Sequence, residues 1–273
     1  MRKETPSIGE AQERIGIPKE ILLINGDTKV LVLTEGAMIT KFTVSSTDIL
    51  YPDQVIETVK GPKRRGGIPL LYPQAGPITE DGEEFRLSQH GFARDQEWEV
   101  TELGENNDTV TLRLISNEET RKMFPYDFEL NYKITALETG LRAELVVLNK
   151  SDKKMPVAPG FHPYFNIPVE DKPEITTNIV GFEPDKYDWN SSQMYGMPHP
   201  TIFKYPGNEI EIQSSPELKT MMIWSEQKGD YVCFEPWTGR VNVLQDPDKR
   251  LEVKPNESQT VFIEINHKDV ESI

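Results

Sequence analysis

Apolar and polar residues alternate over residues 128–134 and again over 141–148, and this pattern constrains the fold more than any other feature of the chain. Successive side chains of a β-strand point to opposite faces of a sheet, so the pattern predicts two strands that are each buried on one face. Glu138-Thr139-Gly140 lies between them and has the length and composition of a hairpin connection. The two segments are therefore predicted to pair as antiparallel neighbours.

Other parts of the chain carry the same pattern. Residues 29–34, 109–115 and 259–265 are also predicted strands. The chain has 21 prolines and 18 glycines, which favour many strands joined by loops over a helical bundle. A β-sandwich of 273 residues can be a single domain, so we expect one all-β domain that spans residues 1–273.

Helical patterning is scarce. Residues 7–15 predict one short helix, and residues 116–123 predict another, with Ser116 as its N-cap and Glu119 completing a capping box. The stretch 61–89 is poor in strand pattern and long for a loop, and its prolines, glycines and apolar residues predict an ordered loop.

Composition excludes several classes of partner. The formal net charge of −15 argues against a surface for nucleic acid or for an anionic membrane. No apolar stretch approaches the roughly 18–20 residues of a membrane span, and the first residues lack the apolar core of a secretory signal. The single cysteine, Cys233, excludes an intrachain disulfide and is expected to pack as a small apolar residue. These features predict a cytoplasmic protein without nucleic-acid or membrane partners.

Two of the four histidines lie in segments with unusual neighbours. His90 opens His-Gly-Phe-Ala-Arg, in which Arg94 follows four residues later. His162 lies between Pro159 and Pro163, which restrict the backbone and favour the rigid placement that a general acid or base needs. The alternatives are a half-exposed loop histidine at position 90 and a core histidine bonded to backbone at position 162.

One carboxylate has a comparable setting. Glu235 follows the apolar strand pattern of residues 231–234 and lies beside Trp237, so it is expected to be partly desolvated and more basic. An ion pair with a lysine or arginine at the strand end is the alternative. The remaining histidines, His199 and His267, are interpreted as surface residues.

Three consecutive cations, Lys63, Arg64 and Arg65, stand out in so acidic a chain. With Arg94 they are predicted to form an anion clamp, and a solvated turn is the alternative. Nearby aromatic residues are candidates for stacking on the apolar face of a sugar ring, and core packing is the alternative for each. These residues are Tyr72, Phe92, Tyr164, Phe165 and Trp237.

Two imidazoles and one carboxylate permit three kinds of chemistry. They match a zinc ligand set, but the closely spaced histidine pair common in such sites is absent. A glycosidase usually needs two carboxylates, and only Glu235 has a distinctive setting. Interconversion of sugar anomers fits best, because a carboxylate that deprotonates the C1 hydroxyl and an imidazolium that protonates the ring oxygen are sufficient, without metal or cofactor.

The motifs resemble the aldose 1-epimerase (mutarotase) superfamily, and within it the glucose-6-phosphate 1-epimerase-like branch. The resemblance extends from about Val30 to Ile265 and depends on five segments in order. They are Arg65-Gly66-Gly67-Ile68-Pro69, His90-Gly91-Phe92-Ala93-Arg94, Phe124-Pro125-Tyr126-Asp127-Phe128, Gly160-Phe161-His162-Pro163-Tyr164-Phe165 and Cys233-Phe234-Glu235-Pro236.

The resemblance implies a large antiparallel β-supersandwich of the galactose mutarotase-like type, with a sugar bound on a concave sheet face. By motif, Glu235 would be the general base on the C1 hydroxyl and His162 the general acid at the ring oxygen. His90 would orient the substrate, and Arg65 and Arg94 would lie near a phosphate.

The superfamily usually has a sugar-binding aspartate between the second histidine and the glutamate. Asp185 and Asp188 both match, and Asp185 is preferred. The predicted ligand is a hexose or a hexose 6-phosphate, bound by a monomer or weak dimer. Four acidic loop residues oppose an anionic substrate unless they point away from the entrance, which keeps free aldoses open as substrates; they are Glu80, Asp81, Glu83 and Glu84. A non-catalytic sugar-binding or sensing protein on the same fold is the alternative function, and a lyase or hydrolase is a third.

Overall fold

The computed structural model describes residues 20–58, 61–76, 85 and 87–270. In chain order its strands are β1 (Glu20–Asn25), β2 (Thr28–Leu33), β3 (Met38–Val44), β4 (Thr47–Asp48), β5 (Gln54–Thr58), β6 (Gly61–Arg65), β7 (Leu70–Leu71), β8 (Glu99–Leu103), β9 (Thr109–Ile115), β10 (Phe128–Ala136), β11 (Gly140–Asn149), β12 (Met155–Val157), β13 (Gly160–Phe161), β14 (Tyr164–Asn166), β15 (Thr176–Thr177), β16 (Ser192–Gly196), β17 (Thr201–Tyr205), β18 (Asn208–Ser214), β19 (Thr220–Trp224), β20 (Tyr231–Trp237), β21 (Leu251–Val253) and β22 (Ser258–Asp269). The one α-helix in the described residues is α1 (Glu118–Met123), and short 3₁₀ helices cover Ala93–Asp95, Val169–Glu174, Pro184–Lys186 and Val243–Gln245.

The strands form two large sheets and three small ones. The largest sheet has eight strands in the order β15-β17-β18-β22-β11-β10-β9-β8. A second sheet has the order β16-β19-β20-β13-β7, with β14 also paired to β20, and a third has the order β1-β2-β3-β4. Two sheets of two strands each, β12-β21 and β5-β6, complete the set. Every pairing between these strands is antiparallel, which confirms the predicted all-β fold.

The two alternating segments form neighbouring interior strands of the eight-stranded sheet, and they pair antiparallel, as predicted. β10 and β11 pair in register from Phe128 opposite Asn149 to Ala136 opposite Leu141. Three residues, 137–139, connect them, so the predicted connection 138–140 is displaced by one residue because Gly140 already belongs to β11. Along β10, buried residues alternate with partly exposed ones, so one face of the strand lies in the core. The buried side chains of β10 include Phe128, Leu130, Tyr132, Ile134 and Ala136.

The core lies between the two large sheets. Phe203 of β17 stacks on Phe234 of β20 with ring centroids 4.1 Å apart, and Tyr132 of β10 approaches Phe161 of β13 at 6.4 Å. Each pair joins one sheet to the other, so the two inner faces interdigitate as in a sandwich. All seven residues of β20 are buried, and the predicted packing of Cys233 as a small apolar residue is confirmed.

Two local predictions were wrong. Asn117, not Ser116, caps helix α1, because its side chain accepts the N–H groups of Glu119 and Thr120. The hydroxyl of Thr120 accepts the N–H of Asn117 and completes the capping box. Ser116 instead donates to Asp127 and accepts the N–H of Phe128, so its hydroxyl is already engaged by the following strand.

The stretch 61–89, predicted as a loop, contains β6 and β7, although residues 77–84 and 86 lie outside the described part. The predicted helix 7–15 and the acidic residues at positions 80–84 also lie outside it. Among the described helices, none has the length and apolar character that a membrane crossing requires.

Candidate active site

Strand pairing places the predicted acid and base opposite each other. β20 carries Glu235, and the segment that contains His162 pairs with β20 on both sides of the histidine. Gly160 is opposite Trp237 and Tyr164 is opposite Cys233, so the same register puts His162 opposite Glu235. The His162 N–H also donates to the oxygen of Pro69, which ties this segment to the strand on its other side.

The His162–Glu235 pair is almost completely buried. His162 Nε2 lies 3.3 Å from Glu235 Oε1, and the two side chains are 8% and 2% exposed. The indole N–H of Trp237 donates to the other carboxyl oxygen, Oε2, at 3.2 Å. With one oxygen held by Trp237, the carboxyl presents Oε1 to the imidazole.

Burial controls the protonation of this pair. It raises the pKa of the Glu235 carboxyl well above its ordinary value, although the Trp237 hydrogen bond has a smaller opposing effect. Burial also lowers the pKa of His162 well below its ordinary value, and repulsion from the Arg94 charge, and from His90 when it is protonated, lowers it further. Both shifts favour the neutral forms, a carboxylic acid beside a neutral imidazole.

His90 lies in the same cavity wall, with its ring perpendicular to that of His162 and the centroids 5.3 Å apart. Its Nδ1 lies 2.6 Å from the oxygen of Ala75. A carbonyl oxygen only accepts, so Nδ1 carries a hydrogen and the Nε2 of the neutral ring is an acceptor. Burial, with a smaller contribution from Arg94, lowers the pKa of His90 to about 4, so the ring is neutral near pH 7.

The backbone around His90 explains the glycine after it. His90 and Gly91 both have left-handed backbone angles, with φ values of 72° and 69°. A Cβ at position 91 would lie 2.0 Å from the oxygen of Tyr72, so only glycine fits. The same Tyr72 oxygen accepts the N–H groups of Phe92 and Ala93, which holds the turn against the sheet.

The three residues line a cavity of about 870 Å³. Its lining combines two indole rings, three methionine side chains, polar groups and a set of charged residues. The described lining residues are Glu35, Met38, Lys63, Arg64, Arg65, Gly66, Pro69, Gln89, His90, Arg94, Asp95, His162, Tyr164, Ser192, Met194, Met222, Trp224, Glu235, Trp237 and Val241. This volume and mixture of apolar and polar groups suit a small polar ligand such as a sugar.

The four predicted clamp cations all line this cavity, but they differ in how they are held. Arg64 is bound by Asp53, with Nη2 2.6 Å from Oδ2 and Nε 2.7 Å from Oδ1. Arg65 is paired with Glu226 at 2.9 Å and lies 5.0 Å from the ring centroid of Trp224.

Arg94 and Lys63 have no ion pair within the described residues. Among the described residues, the Nη2 of Arg94 donates to the oxygen of Gln89, at 3.4 Å. A cation without a carboxylate partner keeps its charge available for an incoming anion.

The aromatic predictions separate into two groups. Tyr164 and Trp237 line the cavity, and the Tyr164 ring stacks on that of His162 with centroids 4.7 Å apart. Tyr72, Phe92 and Phe165 are core residues instead, and all three are buried among other aromatic rings.

The structure does not bring the predicted aspartates into this site. Asp185 is exposed in the 3₁₀ helix Pro184–Lys186, and neither it nor Asp188 lines the cavity. Asp188 is exposed and accepts the backbone N–H of Asn190. Ser192 and Met194, on the strand that follows, line the cavity instead.

Of the two remaining histidines, His199 is exposed, as predicted, but the interpretation of His267 as a surface residue was wrong. His267 is 3% exposed, and its Nε2 lies 2.9 Å from Asn208 Oδ1. It continues the buried face of β22, whose alternation the sequence analysis followed only to Ile265.

Three lining residues, Met38, Met222 and Trp224, were not predicted from the sequence. Neither was Glu226, the ion-pair partner of Arg65. Met222 and Trp224 lie on β19, at the register positions opposite Glu235 and Cys233. The apolar pattern of β19 would have predicted a strand, but nothing in it indicates which face meets the cavity.

One further group in this wall has the donor atoms of a metal site. Cys233 precedes Glu235 by two residues, and one ligand atom from each of His162, Cys233 and Glu235 lies within 4.8 Å of the others. The sequence-based prediction that the protein needs no metal or cofactor stays a prediction.

Comparison with known proteins identifies the class to which this fold and cavity belong. The family model for aldose 1-epimerase matches residues 19–272, so the chain belongs to the aldose 1-epimerase family. Members of this family are isomerases that act on sugars, so a small-molecule sugar is the ligand class that the family implies.

Among similar curated proteins is one of Salmonella typhimurium named "Putative glucose-6-phosphate 1-epimerase", with 29% identity over 126 residues. That match covers 45% of this chain and only 40% of that protein. Protein LacX, chromosomal, of Lactococcus lactis subsp. lactis is 22% identical over 252 residues, which cover 74% of this chain and 83% of that protein.

Solved structures share the fold over nearly the whole chain. The Slr1438 protein of Synechocystis sp. PCC 6803 superposes with a TM-score of 0.81 at 27% identity, covering 93% of this chain and 96% of that one. The galactose mutarotase related enzyme of Lactobacillus acidophilus gives a TM-score of 0.76 at 20% identity, covering 92% and 98% of the two chains. The predicted galactose mutarotase-like sandwich is confirmed.

Proposed function

We propose that this protein is an aldose 1-epimerase that interconverts the α and β anomers of a hexose, with a hexose 6-phosphate as its preferred substrate. The observation that carries the proposal is the His162–Glu235 pair, 3.3 Å apart and open to a cavity that His90 also lines. A buried acid and base side by side suit a reaction that removes a proton from the C1 hydroxyl and delivers a proton to the adjacent ring oxygen.

The proton balance of the reaction matches the pair. With Glu235 ionised and His162 protonated, the carboxylate takes the proton of the C1 hydroxyl while the imidazolium gives its proton to the ring oxygen. The C1–O5 bond breaks, leaving an open-chain aldehyde beside a neutral acid and a neutral imidazole. Rotation about C1–C2 and the reverse proton transfers close the ring on the other face.

Before and after the proton transfers, His162 and Glu235 together carry one transferable proton, so the number of protons on the pair does not change. The ion pair and the neutral pair that burial favours differ only by transfer of that proton between Oε1 and Nε2. The cycle therefore needs no proton from solvent. His90, neutral and with Nε2 free to accept, is proposed to receive a hydrogen bond from a sugar hydroxyl and so to orient the ring.

The preference for a phosphate is supported by the cations of the cavity. Arg94 is proposed as the principal phosphate ligand because it has no carboxylate partner within the described residues. Arg65 lies in the same lining and is proposed to contribute a second positive charge, although Glu226 already binds it. The roles of Tyr164 and Trp237 as stacking surfaces belong to the same proposal, as does a cytoplasmic location, which the single free Cys233 suits.

Exchange NMR spectroscopy on glucose, galactose and glucose 6-phosphate tests this function. We expect the protein to accelerate anomer exchange, most strongly for glucose 6-phosphate. Glu235→Gln should lower the accelerated rate by about 100- to 10,000-fold, the usual contribution of a general base. Glu138→Gln, at an exposed glutamate of the β10–β11 connection, is the matched control and should keep the full rate.

Three results would contradict the proposal. If Glu235→Gln exchanges anomers at the wild-type rate, the base is elsewhere. Sugar-dependent thermal stabilisation without any acceleration over buffer would instead indicate a binding or sensing protein. Release of free sugar from a glycoside would indicate a hydrolase.

A further inference from the structure

Anomer exchange leaves one reactive side chain of the site unused. Cys233 lies on β20 two residues before Glu235, so both side chains project from the same face of the strand. The thiol is completely buried, and a ligand atom from each of Cys233, Glu235 and His162 lies within 4.8 Å of the others. Neither proton transfer of the proposed reaction requires sulfur.

We propose that His162, Cys233 and Glu235 form a binding site for a thiophilic divalent cation such as Zn²⁺, and that its occupation blocks turnover. Binding is independent of the sugar chemistry proposed above, whereas the loss of turnover rests on that proposed function. An imidazole nitrogen, a thiolate and a carboxylate oxygen are three of the ligands that zinc takes in proteins.

The geometry requires only a small contraction. Zinc binds sulfur at about 2.3 Å and nitrogen or oxygen at about 2.0–2.2 Å, so ligand atoms of a tetrahedral site lie about 3.2–3.8 Å apart. His162 and Glu235 already offer one pair of ligand atoms at this spacing, Nε2 and Oε1, which are 3.3 Å apart. The sulfur, within 4.8 Å of a ligand atom of each partner, must approach by at most about 1.0–1.6 Å to complete the set.

The charge and proton balance also favours a dication. His162 would bind the ion through the lone pair of its neutral imidazole. Zn²⁺ displaces the thiol proton of Cys233 and the carboxyl proton of Glu235, both of which pass to solvent. One thiolate and one carboxylate then neutralise the two positive charges of the ion, so the buried site carries no net charge.

Access and the fourth coordination position come from the cavity. His162 and Glu235 line it, whereas Cys233 does not, so the ion enters from the sugar side and meets the thiol last. A water molecule on that side would complete the tetrahedron. Because the ion uses the acid and the base themselves, it competes with the sugar for the same wall.

Binding of Zn²⁺ by calorimetry, and of Co²⁺ by its thiolate charge-transfer absorption, tests the site directly. We expect the wild-type protein to show the absorption band, and stoichiometric Zn²⁺ to lower anomer exchange at least tenfold. Cys233→Ser, nearly equal in volume, should lose the band and weaken Zn²⁺ binding by about tenfold or more while keeping the rate measured without metal. Cys233→Ala should give the same result as Cys233→Ser. It excludes zinc binding by the serine oxygen, and it provides a second variant if Cys233→Ser does not fold.

A His199→Ala variant controls for zinc held by the exposed imidazole and should bind as the wild type does. If Cys233→Ser and the wild type bind Zn²⁺ equally, or if the wild type shows no Co²⁺ band, the metal site is refuted. A wild-type protein that shows the band but never accelerates anomer exchange would refute the proposed function and leave the binding site standing.

Discussion

His90 Nδ1 and the backbone oxygen of Ala75 lie 2.6 Å apart, and this one contact decides how the imidazole meets a ligand. The proton on Nδ1 points into the protein, and Nε2 is left as the acceptor. Because the ring is buried, protonating Nε2 as well would place a charge where water does not reach it, next to Arg94 and His162. The histidine is thus neutral near pH 7, with Nε2 as a hydrogen-bond acceptor.

A first prediction follows for stability against pH. The pKa of His90 is about 4 in the folded protein and about 6.5 in an unfolded chain, so between these values the unfolded chain binds more protons. This contribution is fully present above pH 6.5 and is lost as the pH falls toward 4. Between pH 8 and pH 5 the wild type should lose about 2 kcal/mol through His90 alone.

His90→Asn isolates that contribution, since asparagine tolerates the left-handed backbone angle and does not titrate. His162 and the carboxylates titrate in both proteins. Urea unfolding at pH 8 and at pH 5 should show that the difference in unfolding free energy between wild type and variant shrinks by about 2 kcal/mol at the lower pH. An unchanged difference would mean that His90 is charged or exposed in the folded state.

A second prediction concerns the glycine that follows. Gly91→Ala would bring a methyl group to 2.0 Å from the Tyr72 oxygen and 2.8 Å from the Pro73 nitrogen, both of them backbone atoms. We expect a loss of more than about 3 kcal/mol in unfolding free energy, or failure to fold.

Gly207→Ala is the matched control for this strain. Gly207 has a similar φ of 77°, but no atom lies within 4 Å of its added Cβ, so only the backbone cost of about 1–2 kcal/mol applies. Equal losses in the two variants, measured by urea unfolding, would show that the close approach of Tyr72 to the turn is not real.

A third prediction tests the phosphate clamp by comparing Arg94, which has no ion pair within the described residues, with Arg64, which Asp53 binds. Arg94→Gln should raise the KM for glucose 6-phosphate about tenfold or more, because a charge-assisted hydrogen bond contributes about 1.5–3 kcal/mol, and should leave the KM for glucose unchanged. Arg64→Gln removes a cation of the same lining whose guanidinium Asp53 already binds, and should have little effect. Steady-state kinetics on both sugars decide this, and equal effects of the two variants would disprove a dedicated role for Arg94.

The residues of the acid–base pair could be predicted from the sequence, whereas their immediate setting could not. The motifs around His162 and Glu235 are local, and the strand pairing that joins them is implied by the apolar runs on either side. Burial of His267 depends on how far β22 continues its alternation, which a single sequence does not reveal. Asp185 was preferred as the sugar-binding aspartate, but it does not line the cavity. It lies in a short 3₁₀ helix whose direction is determined by the tertiary structure.

The carboxylates that pair with the arginines could not be predicted from the sequence either. Glu226 is 161 residues from Arg65 in the sequence, and Asp53 faces Arg64 only because β5 and β6 form a hairpin. Lys63, Arg64, Arg65 and Arg94 were predicted to act as one clamp. The structure separates them into two that are bound by carboxylates and two without an ion pair in the described residues, and that separation depends on contacts between distant segments.

A last prediction concerns Lys172, a buried lysine that contacts a segment distant in the sequence. Its ammonium group donates to Ser225 Oγ and to the backbone oxygen of Glu226, each at 2.8 Å, and lies 5.3 Å from the ring centroid of Trp189. The side chain of that same Glu226 binds Arg65 at 2.9 Å. Lys172 therefore holds the backbone of the segment that holds Arg65, and we predict that it is a positioning residue for the substrate.

Lys172→Met keeps much of the apolar volume and removes the two hydrogen bonds. We expect a loss of about 1–3 kcal/mol in unfolding free energy, because a buried oxygen and a hydroxyl lose their donor. The KM for glucose 6-phosphate should rise severalfold while kcat stays near the wild-type value, since Arg65 shifts but the His162–Glu235 pair does not. Lys228→Met, at an exposed lysine of the same segment, should change neither quantity. A fall in kcat with an unchanged KM would place the effect of Lys172 on the acid–base pair and contradict its action through Arg65.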